Sequence, residues 1–216
     1  MLSASELYLR GRHGDLVAPT TLLAAPATLL LVQAGSQDTR TALALVLSGR
    51  MKPGAGGVSW NGDADIRTLR RHAALVDSPG INAPEPHLRV KDQVREDLAL
   101  VPHAFGRRLR PQRWMDDAGV GHLAGTWLDQ LEPAARLRLL CLLALADPAV
   151  ELLVVDSPDR HSPAPDGWLP ELAALAAGSG AAVVALVAAV PDGWTGPRAA
   201  AGATGDLEPT LEKTLA

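Results

Sequence analysis

Short apolar runs of strand length alternate with longer apolar stretches of helix length along most of this 216-residue chain. ATLLLVQ (Ala27 to Gln33) is continuously apolar before a small-residue turn, which predicts a strand buried on both faces. TALALVL (Thr41 to Leu47), followed by Gly49 and Pro53, predicts a helix and its stop. GGVSWNG (Gly56 to Gly62) alternates and closes in Asn61-Gly62, predicting an antiparallel strand with a hairpin-type turn. AALVD (Ala73 to Asp77) predicts another strand, after which the chain reads as helical and charged to about Asp129. PAARLRLLCLLALA (Pro133 to Ala146) has proline at its first position and is apolar nearly all round, the pattern of a buried helix ended by Pro148. ELLVVD (Glu151 to Asp156) predicts a central strand whose terminal carboxylate projects from the sheet's carboxyl end, where open α/β sheets place ligands. A helix over Leu169 to Ala177 and a strand over Ala181 to Ala188 repeat the unit. The Gly/Ala-rich segment 195–216 reads as a tail ending in the helical-looking LEPTLEKTLA. The whole pattern predicts an α/β fold with a mainly parallel sheet flanked by helices and an antiparallel β part.

Composition narrows the function. A chain of this length with 47% hydrophobic residues supports one domain over 1–216. Twenty Lys+Arg against 24 Asp+Glu give a net charge of −4, which argues against nucleic acid as a partner. With 3% aromatic residues, a base-stacking platform is also disfavoured. The uncharged stretches Leu16 to Gln37 and Leu172 to Pro191 are broken by Pro19 and Pro26, and by Gly178-Ser179-Gly180. Each therefore reads as two short buried elements, with no direct membrane insertion. MLSASELYLR lacks the basic start and apolar core of a secretory signal, so a cytoplasmic protein is expected. The single cysteine, Cys141, lies in an apolar run and is expected to be a small buried hydrophobe. The six histidines show no metal-ligand spacing, and the five tryptophans read as packing residues. The Arg107, Arg108, Arg110 and Arg113 cluster reads as a solvated helix face.

Five landmarks in order resemble the nucleotide-binding domain of ATP-binding cassette (ABC) transporters, over roughly Glu6 to Trp194. AGSQDTRTALALVLSGRMKPGAGGVSWNG (Ala34 to Gly62) is similar to that family's phosphate loop and first helix. The register puts Ala34-Gly35-Ser36-Gln37-Asp38-Thr39-Arg40-Thr41 on G-x-x-x-x-G-K-[ST], with Thr39 at the second glycine and Arg40 at the lysine. ALVDSPGIN resembles the Gln-containing loop with Ser78 at the Gln, and EPHLRVKDQVREDL resembles the segment after it. Leu131-Glu132-Pro133-Ala134-Ala135 stands at the LSGGQ signature, 25 residues before Asp156. ELLVVDSPD resembles the Walker B strand, with Ser157 at the catalytic Glu, and Ala189 falls at the switch histidine. His13 is the candidate for the adenine-stacking position. The resemblance implies ATP and Mg²⁺ as cofactors, with Thr41 and Asp156 as metal residues, and a small helical subdomain at about 84–146. It also implies a transporter membrane subunit as partner, a second ATPase subunit or a copy of itself as a dimer mate, and a place at the inner face of the cell membrane.

The departures from the pattern carry a chemical expectation. Glycines let a phosphate loop turn its N–H groups inward, and a lysine adds a compact charge. Thr39 takes φ > 0 only at a cost, and the forked Arg40 guanidinium is no equivalent of an ammonium. Asp38, if it lay about 4 Å from a phosphate oxygen, would repel it by roughly 4 kcal/mol at an effective dielectric near 20. Glu132 puts a carboxylate where the signature serine reads a γ-phosphate, and Pro133 removes a donor while starting a helix well. Ser157 cannot serve as a carboxylate base, and Ala189 cannot hydrogen-bond a phosphate. Thr41 and Asp156 are equally accounted for as Mg²⁺ residues or as polar residues suited to a helix start and a strand end. The leading expectation is a degenerate ABC-type protein with weak or no nucleotide binding and lost hydrolysis. An active subunit with a non-standard site and a non-catalytic regulatory or scaffolding module are the alternatives.

Overall fold

The computed structural model describes residues 1–12, 14–102 and 109–204. In chain order its strands are β1 (Leu2–Arg10), β2 (Asp15–Ala24), β3 (Leu29–Gln33), β4 (Ala55–Trp60), β5 (Ala73–Val76), β6 (Leu152–Asp156), β7 (Ala182–Val187) and β8 (Arg198–Ala200). Its helices are α1 (Gln37–Leu47), α2 (Ile66–His72), α3 (Val90–Leu100), α4 (Pro111–Asp117), α5 (Pro133–Ala144) and α6 (Leu169–Ser179). The order β5-β6-β7-β3-β8 makes a five-stranded sheet whose neighbouring strands all run parallel. A separate antiparallel sheet has the order β2-β1-β4.

Alternate residues of the central strands enter two cores. Leu30, Val32, Leu152, Val154, Val184 and Leu186 face α1 and the antiparallel sheet. Leu29, Leu31, Leu153, Val155, Val183 and Ala185 face α3, α5 and α6. This two-sided burial is why the β3, β6 and β7 segments read as unbroken apolar runs rather than alternating ones. The parallel strands end on the same side of the sheet, which gathers Gln33, Asp156 and Val187 at the ends of β3, β6 and β7, and Asp77 just after β5, near the turn that opens α1.

Several boundaries depart from the pattern reading. β1 and β2 carry no clear alternation, because their pairing shifts register several times and Glu6 takes φ 48°. Such bulges break the period of two on which strand recognition rests. Pro19 lies inside β2 and is tolerated there because β2 is an edge strand. Asn61 and Gly62 do take the positive φ values of a tight turn (51° and 83°), and Trp60 and Asp63 exchange two backbone bonds of 2.9 Å. No return strand follows, since the chain runs into α2 instead. The segment read as a tail begins with structure, as β8 extends the parallel sheet beyond β3. α5 starts at Pro133 as expected and stops at Ala144. The stretch 84–146 holds α3, α4 and α5; Arg107 and Arg108 fall outside the described residues.

Candidate functional site

The turn between β3 and α1 is short. Only Ala34, Gly35 and Ser36 separate the strand from the helix, because Ser36 caps α1 by accepting the Thr39 N–H at 3.0 Å. The Arg40 N–H then donates to the Ser36 carbonyl at 3.1 Å. Gln37, Asp38 and Thr39 are therefore helical, in a stretch that a strand–G-x-x-x-x-G-K-[ST]–helix arrangement leaves as a loop of inward N–H groups. Thr39 is spared a positive φ, and its hydroxyl donates to the Leu16 carbonyl at 3.0 Å. Asp38 is exposed on the first helical turn, where a carboxylate complements the helix dipole. A Cβ built on Gly35 would meet nothing within 4 Å, so this glycine marks no close backbone approach.

Arg40 points back under this turn and is buried. Its Nη1 donates to the Ala34 carbonyl at 2.8 Å and the Gly35 carbonyl at 3.0 Å. Nη2 donates to Gln37 Oε1 at 3.0 Å, and Nε donates to Ser157 Oγ at 2.7 Å. The fork thus spends its donors on the protein's own carbonyl, amide and hydroxyl oxygens. A lysine, with one compact ammonium, could not span these four acceptors.

Asp156, at the end of β6, is fully buried and is the counter-charge. Its Oδ2 accepts from Thr41 Oγ1 and from Ser78 Oγ, each at 2.7 Å. Its Oδ1 accepts from Gln37 Nε2 at 3.1 Å and lies 2.8 Å from Ser157 Oγ. Ser157 Oγ is also 3.0 Å from Gln37 Oε1, so its one proton is shared between two acceptors while the Arg40 Nε–H fills a lone pair. Charge-assisted bonds of this kind offset the cost of burying both ions. Ser157 itself sits at φ 56°, a left-handed conformation costing about 1–2 kcal/mol for a non-glycine residue.

These residues do not fit Mg-ATP as they are arranged. Mg²⁺ asks for octahedral oxygen ligands at about 2.0–2.1 Å. Here the Thr41 hydroxyl and the Asp156 carboxylate are bonded to each other, and both carboxylate oxygens already accept from protein donors. The turn offers a guanidinium and a helical first turn where phosphates would need an open cradle. Among the described residues, no group of three or more His, Cys, Asp or Glu side chains could hold a metal ion.

A second polar cluster lies beside the first, and its spacing in the sequence gave no sign of it. Asp77 follows β5 at φ 54° and is buried. Arg136 of α5 grips it with two bonds, Nε to Oδ2 at 3.1 Å and Nη2 to Oδ1 at 2.8 Å. Arg160 Nη2 approaches Oδ1 at 2.9 Å, and His161 Nε2 is 2.8 Å from Oδ2. Burial pushes the Asp77 carboxyl up, but His161, Arg136 and Arg160 outweigh it and hold the group down at about 2. Arg160 Nη1 also donates to the Asp156 carbonyl at 2.7 Å, joining the two clusters. The one available signal was the charge of Arg136 within the mostly apolar α5, whose other arginine, Arg138, is exposed and pairs with Glu171; a buried charge requires a partner.

The remaining candidate positions lie around this centre. Glu132 caps α5 without a side-chain hydrogen bond and is exposed; Pro133 occupies the first turn, with Leu131, Ala134 and Ala135 half-buried. Among the described residues, no hydrogen bond or ion pair joins 131–135 to 34–41. Ala189 is exposed just beyond β7. His13 falls outside the described residues. Cys141 is fully buried in α5, and burial pushes its thiol well above the usual range. Among the described residues, no helix is long and apolar enough to cross a membrane.

No protein-family model matches the chain, and no curated protein matches it in sequence. Solved structures do. An ABC transporter ATP-binding protein from Pyrococcus furiosus superposes with a TM-score of 0.67 at 15% identity, covering 93% of this chain and 96% of that one. cbiO1 from Clostridium perfringens, part of the ABC transporter complex cbiONQ, gives 0.64 at 15% identity, covering 86% and 77%. A dimeric ATP-binding cassette in a post-hydrolysis state, bound to ADP and Pi, gives 0.62 at 17% identity, covering 87% and 88%. The chain has the fold of ABC transporter ATP-binding cassettes.

Proposed function

We propose that this chain is a degenerate ABC-type cassette, a transporter-associated subunit in which nucleotide binding is weak or absent and ATP hydrolysis is lost. The observation that carries the reading is the Arg40 side chain, folded onto the carbonyls of its own turn and linked through Ser157 and Gln37 to Asp156. In this reading the residues standing at the phosphate loop and the Mg²⁺ position, Ala34 to Thr41 and Asp156, hold one another in place of a ligand. Ser157 has no carboxylate with which to take a proton from an attacking water. Glu132 would meet a γ-phosphate from a partner cassette with like charge, and Ala189 would offer it no donor.

The solved relatives bear on partners. One is part of a transporter complex and another is dimeric. By that likeness, the partners proposed here are a transporter membrane subunit and either a second ATPase subunit or a copy of this chain. The protein would then lie in the cytoplasm at the inner membrane face, with 84–146 as its helical subdomain. The losses span both the Walker positions and the signature position of one chain. A dimer with an intact cassette would then be compromised at both of its composite sites.

A turnover assay tests the reading, run on the purified chain alone and with any co-purifying ATPase subunit. The expected result is no Mg²⁺-dependent phosphate release above background from the chain alone. Robust release that Asp156→Ala abolishes would overturn it in favour of an active subunit with a non-standard site. Recovery of the chain in a detergent-extracted membrane complex supports the transporter association, whereas purification only with soluble partners favours a scaffolding module.

A further inference from the structure

Three segments that meet at the carboxyl end of the sheet are tied to one carboxylate. Asp77 directly follows β5 and precedes Ser78, whose hydroxyl bonds Asp156. Arg136 lies in the first turns of α5, directly after the signature position. Arg160 and His161 lie in the turn that follows β6 and Ser157. Arg136 also donates through Nη1 to the Leu128 carbonyl at 3.3 Å, which draws the chain ahead of α5 into the same node. The Asp77 and Arg136 side chains are almost fully buried, while those of Arg160 and His161 are 23% and 24% exposed. Asp77 reaches this position only in a left-handed backbone conformation, so the surrounding contacts hold it against local strain.

We propose that Asp77 is the hub of a ligand-independent latch that holds α5 and the 157–161 turn in one arrangement against the sheet. A bidentate carboxylate–guanidinium pair is directional, and burial leaves it no water to exchange partners with. If Arg136 left Asp77, the guanidinium would remain in the apolar interior without a counter-charge while Asp77 kept only its part-exposed partners Arg160 and His161, so the closed arrangement is strongly favoured over release of α5. Arg160 then passes the constraint to the Asp156 carbonyl, and Ser78 passes it to the Asp156 carboxylate. The start of α5 is consequently presented to partners in a single geometry, whether or not nucleotide is present. The bonds to Asp77 themselves involve no residue of the α1 turn, and the two networks meet at Asp156 and Ser157, so the latch is tested separately from the loss of ATP binding.

Hydrogen exchange read by mass spectrometry tests it, with and without millimolar Mg-ATP. In the unmodified chain, peptides spanning 131–141 and 156–162 should be protected and unmoved by Mg-ATP. In Asp77→Asn, exchange should rise together in those two stretches by roughly ten-fold or more, while 29–47 and 182–187 keep their rates. Unchanged rates over 131–141 in that variant, or a uniform rise across the chain, would overturn the latch, as would a Mg-ATP-dependent change over 131–141 in the unmodified chain. If Asp77→Asn fails to fold, the double variant Arg160→Gln/His161→Gln removes the two part-exposed partners and must raise exchange over 156–162 while 29–47 and 182–187 keep their rates; unchanged exchange over 156–162 would overturn the latch. Calorimetric binding of Mg-ATP with α5 exchange unmoved would refute the nucleotide reading and leave the latch standing.

Discussion

Replacing Arg40 with methionine removes a buried guanidinium and keeps most of its aliphatic bulk. Four acceptors then lose their donor: the Ala34 and Gly35 carbonyls, Gln37 Oε1 and Ser157 Oγ. Asp156 keeps its charge in the interior and loses the cation that Ser157 and Gln37 connect to it. Breaking a direct buried pair costs about 3–5 kcal/mol, and these two charges are bridged through Ser157 and Gln37 rather than directly paired. Gly35 is exposed, so water can reach its carbonyl, and the lower end of the range, about 3 kcal/mol, is expected. For a domain of this size that corresponds to a melting-point loss of roughly 6–12 °C. Urea denaturation followed by far-ultraviolet circular dichroism measures it, with Lys52→Met, an exposed lysine, expected within about 0.5 kcal/mol of the parent. The double variant Arg40→Met/Asp156→Asn should cost less than the sum of its parts, since each change removes the reason for the other. An Arg40→Met chain within about 0.5 kcal/mol of the parent would refute the view that this side chain holds the site together.

Two further outcomes follow from the same contacts. Asp77 is held at about 2 in the folded chain, below its unfolded value, so the unfolded state takes up protons first as pH falls. Its contribution, on the order of 2.5 kcal/mol, is fully present above about pH 4 and is lost towards pH 2. Asp77→Asn should therefore flatten the acid limb of stability against pH over that window in urea titrations. Glu132 caps α5 without a side-chain bond, so Glu132→Ser should raise stability by about 0.5–1 kcal/mol, read as a higher melting point. A lowered melting point would mean that the Glu132 carboxylate has a role its exposed position does not explain.

Much of the sheet was legible in the sequence, because two-sided burial forces unbroken apolar runs at β3, β6 and β7. β1 and β2 were not, because their bulges erase the alternation, and β8 is three residues long in a Gly/Ala-rich stretch. At the site, the register named Arg40, Thr41, Ser78, Asp156 and Ser157, and the structure brings these residues of α1, the loop after β5 and the end of β6 into one hydrogen-bonded cluster. It could not tell that α1 would begin at Gln37, since that depends on Ser36 capping Thr39 and on Arg40 folding back. Nor could spacing reveal the Asp77 node, whose members lie 59 and 84 residues apart for Arg136 and His161.

Isothermal titration calorimetry of the purified chain with Mg-ATP tests the central claim most directly. With Arg40 and Asp156 satisfied by the protein itself, no saturable heat is expected up to millimolar nucleotide, and no shift in melting point. Saturable binding at submillimolar affinity that disappears in Arg40→Ala would contradict the account, because it would mean that the guanidinium leaves its own turn to hold a phosphate.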